Sequence, residues 1–313
     1  MQTVAQFVSA GIATPADLQA ALQLAMQLEF STIPPYLCAQ WSINGGNDGS
    51  GDPNDVEGMI GDIVVQEMYH FALAGNMLSA IGGTPSIANP SFVPAYPTHV
   101  LPGDIAQKLA VDLLPLSDNQ LEVFMQIEYP EFQPVGLSLL AQGPATIGDF
   151  YDTISRGFTT VNPTILPKAN FVNMGEAVQI TSIADALAAI ARIKGEGEGT
   201  PGSPDQPPAD GTQLAHYYVF KEILLGKTFV QSAGQWSFTD PAIKFPNVLN
   251  FSQSTITPSP SIAFNQALSQ LLSGLQTCWT SGQQPSIHAM RILQGLGQGL
   301  IRQGIRPEFL WSA

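Results

Sequence analysis

The fold is decided by residues 64–80, VVQEMYHFALAGNMLSA, which belong to an apolar periodicity running from Val56 to Ile81. This periodicity predicts a buried helix of about seven turns. Glu67 and His70 interrupt its apolar face in the middle. Residues three apart on a helix lie on one face about one turn apart, so this carboxylate and this imidazole can reach the same point in space. A metal ion is one occupant of such a point, although the Glu-x-x-His spacing alone also occurs by chance on structural helices.

A second carboxylate lies on the apolar face of an earlier predicted helix. Thr14 is a favourable N-cap and Pro15 a favourable first helical residue, so a helix is predicted to begin there. Its apolar stripe includes Glu29, and the pair Pro34 and Pro35 is expected to break or kink it. A carboxylate on a buried face must be paired, protonated or bound to a metal, because leaving it bare is costly.

A histidine on a later helix extends the pattern. The helix predicted over residues 211–227 places His216 among apolar residues. Two glutamates and two histidines from three long helices are the ingredients of a carboxylate-bridged di-metal site in a four-helix bundle. At the Glu-x-x-His spacing before His216 the chain has Gln213, which is neutral and could bind a metal only through its carbonyl oxygen. The number of metal ions, one or two, therefore stays open.

The third bundle helix, predicted over residues 182–198, ends in the sequence GEGEGT and offers two carboxylates. Glu198 keeps to the apolar stripe and is preferred to Glu196 as a ligand. Glu128, in the segment IEYPE, is either a helix-end carboxylate with a local hydrogen bond or a further ligand. Glu222 is either a partner that orients the histidine of its own helix or half of a surface ion pair.

The composition excludes several classes of function. Of the 313 residues 44% are hydrophobic and only 12% are charged, which indicates extensive burial rather than disorder. With 11 basic and 25 acidic residues the formal charge is −14, so nucleic acid and anionic membrane surfaces are unsuitable partners. No apolar run approaches the roughly 20 residues that span a bilayer, and the N-terminus lacks a secretory pattern. We expect a cytoplasmic protein that binds a small molecule, with a homo-oligomer left open.

The predicted architecture is all-α, with a four-helix bundle, a long insertion after its second helix and extra C-terminal helices. It forms one elaborated domain, residues 1–313, whose parts are a bundle core at about 15–81 and 182–227, an insertion at about 84–180 and a C-terminal helical cover at about 260–306. Two short helices are predicted inside the insertion, near 104–113 and 117–129.

Four segments also carry a family resemblance. They are LEFSTIPPYLCAQWSI (28–43), QEMYHFALAGNMLSAIGGTP (66–85), the GEGEGT turn (195–200) and LAHYYVFKEI (214–223). In this order they resemble the ferritin-like domain of iminophenyl-pyruvate dimer synthases, which act in violacein-type bisindole biosynthesis.

The resemblance implies a ferritin-like four-helix bundle whose metal ligands are carried over onto Glu29, Glu67, His70, Glu198 and His216. Gln213 departs from the family pattern, which is acidic at the comparable position, and this departure puts the second metal in question.

Carboxylate and imidazole ligands around open coordination positions suit iron or manganese better than calcium or copper. We expect iron first and manganese second, in a metal-dependent oxidoreductase or oxidative coupling enzyme of secondary metabolism. Its substrate would be a small organic molecule, aromatic or derived from an amino acid. Two alternatives stay open: a ferritin-like metal-binding protein without turnover of an organic substrate, and a metal-free member that only binds a ligand.

Overall fold

A computed structural model describes the chain over residues 2–44, 55–105, 109–130, 146–199, 203–206, 213–241 and 243–312. The described part is mostly helical, as predicted. Its helices are α1 (Val4–Ala10), α2 (Pro15–Ser42), α3 (Val56–Ala80), α4 (Asp118–Ile127), α5 (Ile147–Val161), α6 (Ile183–Glu198), α7 (His216–Leu225), α8 (Ile262–Ser281) and α9 (Ile287–Arg302). An antiparallel hairpin of β1 (Lys227–Ser232) and β2 (Gln235–Pro241) follows α7.

Helix α2 continues through its two prolines, which were expected to break or kink it. A proline has no N–H, so Pro35 cannot donate to the carbonyl oxygen of Ser31 one turn earlier. The hydroxyl of Tyr96 donates to that oxygen instead, at 2.7 Å. This contact from the insertion satisfies the buried carbonyl, and α2 therefore extends to Ser42.

Helix α3 packs along α2 and is fixed near its C-terminal end by a buried asparagine. The amide of Asn76 donates to the carbonyl oxygens of Val172 and Val178, and its oxygen accepts from Val172 N–H and from the indole of Trp279. One side chain thus joins α3 to the insertion and to α8. All four bonds are 2.8–3.0 Å long, so each polar atom is satisfied in the apolar interior.

The prediction that the last bundle helix begins near residue 211 is wrong. Residues 213–215 are extended and pair with residues 204–206. Gln206 N–H donates to Gln213 O, and Ala215 N–H donates to Pro204 O. A backbone group used in this pairing cannot take part in a helix, so α7 begins at His216.

The insertion also differs from its prediction in detail. The short helix expected near 104–113 is absent from the described residues of that segment, because Val111 exchanges backbone hydrogen bonds with Thr98 and only a single turn, Pro102–Asp104, is helical. The helix expected near 117–129 is confirmed as α4. Helix α5 was not predicted, although Thr146 and Asp149 form a capping box at its start.

The C-terminal helices α8 and α9 pack on each other and against α2 and α3, and one hydrophobic core reaches from Val4 to Phe309. Among the described residues no helix is both long and apolar enough to cross a bilayer.

Candidate metal centre

The centre is built on one face of α2 and one face of α3. Glu29, Thr32 and Tyr36 follow each other at helical spacing on α2, and Glu67 and His70 do so on α3. All five side chains are buried. Two glutamates, a threonine, a tyrosine and a histidine inside an apolar core require partners, and they supply most of these to one another.

Two groups of three ligand atoms result, and Glu67 belongs to both. Glu29, Glu67 and His70 form the first group, and Glu67, Glu128 and His216 form the second, with the atoms of each group within 4.8 Å of one another. Glu67 Oε1 lies 3.5 Å from His70 Nδ1 and 3.0 Å from His216 Nδ1. The two groups therefore meet at one carboxylate, which is the arrangement of a bridged pair of metal ions.

The tautomer of His216 is fixed by a chain of amides. Gln206 Nε2 donates to the backbone carbonyl of Leu214 at 2.9 Å, which makes this atom the NH₂ group. The same Nε2 donates to Gln66 Oε1 at 3.1 Å, so Gln66 presents its oxygen to His216 Nε2, 2.9 Å away. Nε2 of His216 therefore carries a proton, and Nδ1 is the nitrogen that faces the carboxylates and can bind a metal ion.

His70 is also oriented with its Nδ1 toward the centre, but the partner of its Nε2 is charged. Its Nε2 donates to Glu196 Oε2 at 2.7 Å, and Arg192 Nε donates to the other oxygen of Glu196 at 2.6 Å. His70 Nδ1 then faces Glu29 Oε2 at 3.7 Å as well as Glu67. The two imidazole rings lie nearly parallel, 5.7 Å apart. Each histidine thus has Nδ1 toward the centre and Nε2 hydrogen-bonded to an oxygen behind it. The difference is that this oxygen belongs to the Glu196 carboxylate at His70 and to the Gln66 amide at His216.

Hydroxyl groups hold the carboxylates. Tyr36 donates to Glu128 Oε1 at 2.6 Å, and Thr32 donates to Glu67 Oε2 at 2.9 Å. The hydroxyl of Tyr151, on α5, donates to Glu29 Oε1. In each of these carboxylates one oxygen is fixed by a hydroxyl while the other faces a histidine Nδ1. Such outer contacts orient ligands and are part of a metal site.

Burial and mutual contact shift the proton affinities of the cluster. Burial raises the pKa of Glu29 to about 7, against the opposing contact with His70. Burial also raises the pKa of Glu128. For His216, burial acts to lower the pKa, but the contacts with Glu128 and Glu67 outweigh it and bring the pKa to about 9. Metal ions entering the site would displace protons.

The residues fit metal ions on an observation independent of the family. His216 Nδ1 is buried and forms no hydrogen bond with the described residues. Its lone pair and the oxygens of Glu67 and Glu128 share one small space and repel one another unless a cation or a proton lies between them. Three carboxylates and two imidazoles are a donor set that can hold a metal ion.

The space among the ligands is about 30 Å³. This volume accommodates one or two water-sized species and not an organic molecule. Its apolar walls come from α2, α4, α5 and α6, through Leu28, Ile127, Ile147 and Ile193.

This geometry agrees with the comparison against protein families. The model of the ferritin-like family matches residues 22–225, about two thirds of the chain. The chain belongs to the ferritin-like family. A solved ferritin-like protein from Caulobacter vibrioides shares 23% of its residues with this chain, covers 96% of it and all of its own length, and superposes with a TM-score of 0.67. A search of curated proteins found no significant match.

The ferritin-like fold brings together four of the five residues carried over as ligands, Glu29, Glu67, His70 and His216. The fifth, Glu198, ends α6, and its side chain lies outside the described part of the structure. Glu196, which was ranked below Glu198, is the α6 carboxylate that contacts His70.

Three further residues have alternative roles in the sequence prediction, and the structure places each of them. Glu128, which ends α4, is placed in the second ligand group and not in a purely local contact. Gln213 is exposed and precedes α7, so it does not occupy the ligand position one turn before His216. The glutamine that contacts His216 is Gln66. Glu222 accepts a 2.5 Å hydrogen bond from the backbone of Phe229, which ties α7 to β1, and burial raises its pKa to about 7.

Sequence reasoning missed the contacts of Gln66, Thr32, Tyr36 and Tyr151. The first three had a signal. Thr32 and Tyr36 lie three and seven residues after Glu29 and thus on its face of the helix, and Gln66 precedes Glu67. Tyr151 had none, because nothing local indicates that α5 packs on Glu29.

Proposed function

We propose that this ferritin-like protein binds two iron ions and is an oxidoreductase. Glu29, Glu67 and His70 would hold one ion, and Glu67, Glu128 and His216 the other. The observation that carries the proposal is the shared carboxylate between two histidines, each of which is turned so that Nδ1 faces the centre.

Charge supports two divalent cations. Two such ions carry four positive charges. Glu29, Glu67 and Glu128 supply three negative charges among the ligands, and Glu196 behind His70 supplies a fourth, which Arg192 partly neutralises. All four carboxylates are buried, so their charges are little screened by solvent and attract cations strongly. Manganese is the second choice, because its ligand preferences overlap with those of iron.

Bound iron would supply the electron transfer and the oxygen-binding positions that side chains lack. The protein residues have separate tasks. Tyr36 and Tyr151 hold the outer carboxylates in one orientation and place a hydroxyl proton beside each of them. Apolar residues such as Ile127 and Ile193 line the small cavity and limit the water that reaches it.

The substrate proposal is a small organic molecule, aromatic or derived from an amino acid, in cytoplasmic secondary metabolism. The resemblance of four segments to iminophenyl-pyruvate dimer synthases supports it. The cavity volume of about 30 Å³ favours a second candidate, a metal-binding protein that reduces oxygen or stores iron without turning over an organic molecule.

Metal loading tests the proposal. Metal-free protein is titrated anaerobically with Fe²⁺, and about two ions per chain are expected, followed by oxygen consumption on exposure to air. Glu67→Gln should weaken both positions because both use this carboxylate. Asp62→Asn, an exposed residue of the same helix, is the matched control and should load normally.

Fewer than one ion per chain, or unchanged loading of Glu67→Gln, would overturn the centre. Excess Fe²⁺ in air separates an enzyme from an iron-storage protein. An enzyme keeps about two ions per chain, whereas a storage protein retains many more.

A further inference from the structure

A second cavity, about 240 Å³ in volume, lies on the other side of α2 and α3 and is closed by α8 and α9. The two cavities share no lining residue. Phe30 lines the second cavity although it follows Glu29, and Phe71 lines it although it follows His70. Neighbouring positions on a helix face different directions, so the two sites use different faces of the same pair of helices.

The lining is apolar and uncharged. It includes Phe30, Phe71 and Phe309 together with Met68 and Met290, and its polar members among the described residues are the amides of Gln40 and Gln294 and the indole of Trp41. An ionised ligand placed there would lose its hydration without gaining a counter-charge. The cavity therefore suits a neutral molecule. Aromatic rings and methionine sulfur are favourable contacts for an aromatic one.

The indole N–H of Trp41 indicates one specific polar contact that a bound molecule could make. Its Nε1 is buried and has no hydrogen-bond partner among the described residues. The ring cannot turn away easily, because it stacks on Phe309 and packs so closely on Gly297 that a Cβ there would lie 2.1 Å from the ring. A buried N–H without an acceptor is unfavourable and rare in native proteins. An oxygen of a bound molecule would satisfy it.

We propose that this cavity binds a neutral aromatic molecule of about two fused rings whose carbonyl or ether oxygen accepts a hydrogen bond from Trp41 Nε1. A cavity of roughly 150 Å³ admits benzene, so 240 Å³ admits a second ring. Access is at the edge near Val65, which is 41% exposed, and Gln294, which is also exposed. The site is independent of the metal centre in its residues.

Calorimetric titration with three naphthalene derivatives tests the proposal on the full-length, metal-loaded protein. The neutral ketone 2-acetylnaphthalene should bind with one molecule per chain. Naphthalene lacks the acceptor and should bind about tenfold more weakly, which corresponds to one hydrogen bond. The anion 2-naphthoate should not bind, because the cavity offers it no cation.

Two kinds of variant locate the site. Trp41→Phe keeps an aromatic ring but removes the donor, so it should weaken the ketone about tenfold and leave naphthalene unchanged. Leu271→Trp should fill the cavity and abolish binding of both, with Met290→Trp as a second filling variant if the first does not fold. Metal content should stay normal in all of them, because none of these residues touches the centre.

Absence of ketone binding, or ketone binding that survives both filling variants, would overturn the site. Equal weakening of ketone and naphthalene by Trp41→Phe would overturn the hydrogen bond from Nε1. Tighter binding of 2-naphthoate than of the ketone would overturn the neutral class of ligand.

Discussion

Replacement of Gln66 by methionine should weaken one metal position and leave the other intact. Methionine has about the length of glutamine but offers no acceptor to His216 Nε2–H. When a metal occupies Nδ1, the ring proton must stay on Nε2, and the variant then buries that proton without a partner. At a pH near 9, where the metal-free ring gives up one of its two protons, the remaining proton can move to Nδ1, beside Glu67 at 3.0 Å. The cost therefore falls mainly on the metal-bound state.

The size of the loss in metal affinity follows from the cost of burying the Nε2 proton without an acceptor. A buried donor without a partner costs about 1–3 kcal/mol, and about 1.4 kcal/mol changes an equilibrium tenfold. We expect the affinity of the Glu67, Glu128 and His216 position to fall about tenfold to a hundredfold, the range typical for loss of an outer contact. The position that uses His70 should keep its affinity, because Glu196 and not Gln66 holds that ring.

Glu196→Gln is the mirror-image variant. Its amide can still accept from His70 Nε2–H, but the negative charge is lost, so the charge-assisted bond of 2.7 Å becomes a neutral one. We expect the metal affinity of the His70 position alone to fall by a similar factor. The double variant should bind metal weakly at both positions.

Competitive titration of metal-free protein with Co²⁺ and a chelating dye measures the two affinities without redox chemistry. The wild type should show two binding steps, each single variant one normal and one weakened step, and Asp62→Asn should match the wild type. Normal affinity at both positions in a folded Gln66→Met protein would refute the reasoning. Equal weakening of both positions by either single variant would refute it too.

Three further predictions concern stability. The free energy of unfolding of the metal-free protein, measured in urea, should fall as the pH rises from about 6.5 to 9. The pKa values of His216, about 9, and of His70 are both raised, so the stability that they give is complete below pH 6.5, and His216 alone contributes about 3 kcal/mol. A profile that stays flat over this window would contradict it. Glu222→Gln should stabilise the protein at pH 8 and not at pH 4.5, because the buried carboxyl with its pKa near 7 is charged only at the higher pH; equal effects at both pH values would count against this. Asn76→Ala should lower the free energy of unfolding by about 3–5 kcal/mol, because four buried hydrogen bonds disappear, and a loss below 1 kcal/mol would show that they are not needed.

The bundle could be predicted from local signals because its helices carry them. The cap at Thr14, the apolar periodicity around Glu67 and the Ser182 cap of α6 each act within a few residues. Those signals predicted that Glu67 and His70 share one face of α3 and that Glu29 lies on the apolar face of α2. That the three meet followed only from the expected four-helix bundle, in which these two faces pack together.

The remaining ligands depend on contacts between distant segments. Glu128 reaches the centre because α4 packs on α2 and α7, and no periodicity in the insertion indicates that packing. The start of α7 depends on pairing of residues 213–215 with 204–206, which displaced Gln213 from the helix. Sequence spacing alone therefore placed Gln213 at a ligand position one helical turn before His216, a turn that is absent because residues 213–215 are extended.

A neutral glutamine has different consequences at the two positions. At position 213 it would have replaced a ligand and cast doubt on a second metal. At position 66 it replaces a ligand's outer partner, so both ligand groups stay complete and only the charge behind one histidine is missing. A carboxylate behind an imidazole makes the other ring nitrogen a stronger donor than an amide does. The position at His70 should therefore bind its metal more tightly and load first, and the position at His216, held by Gln66, should be the one that gains or loses its ion.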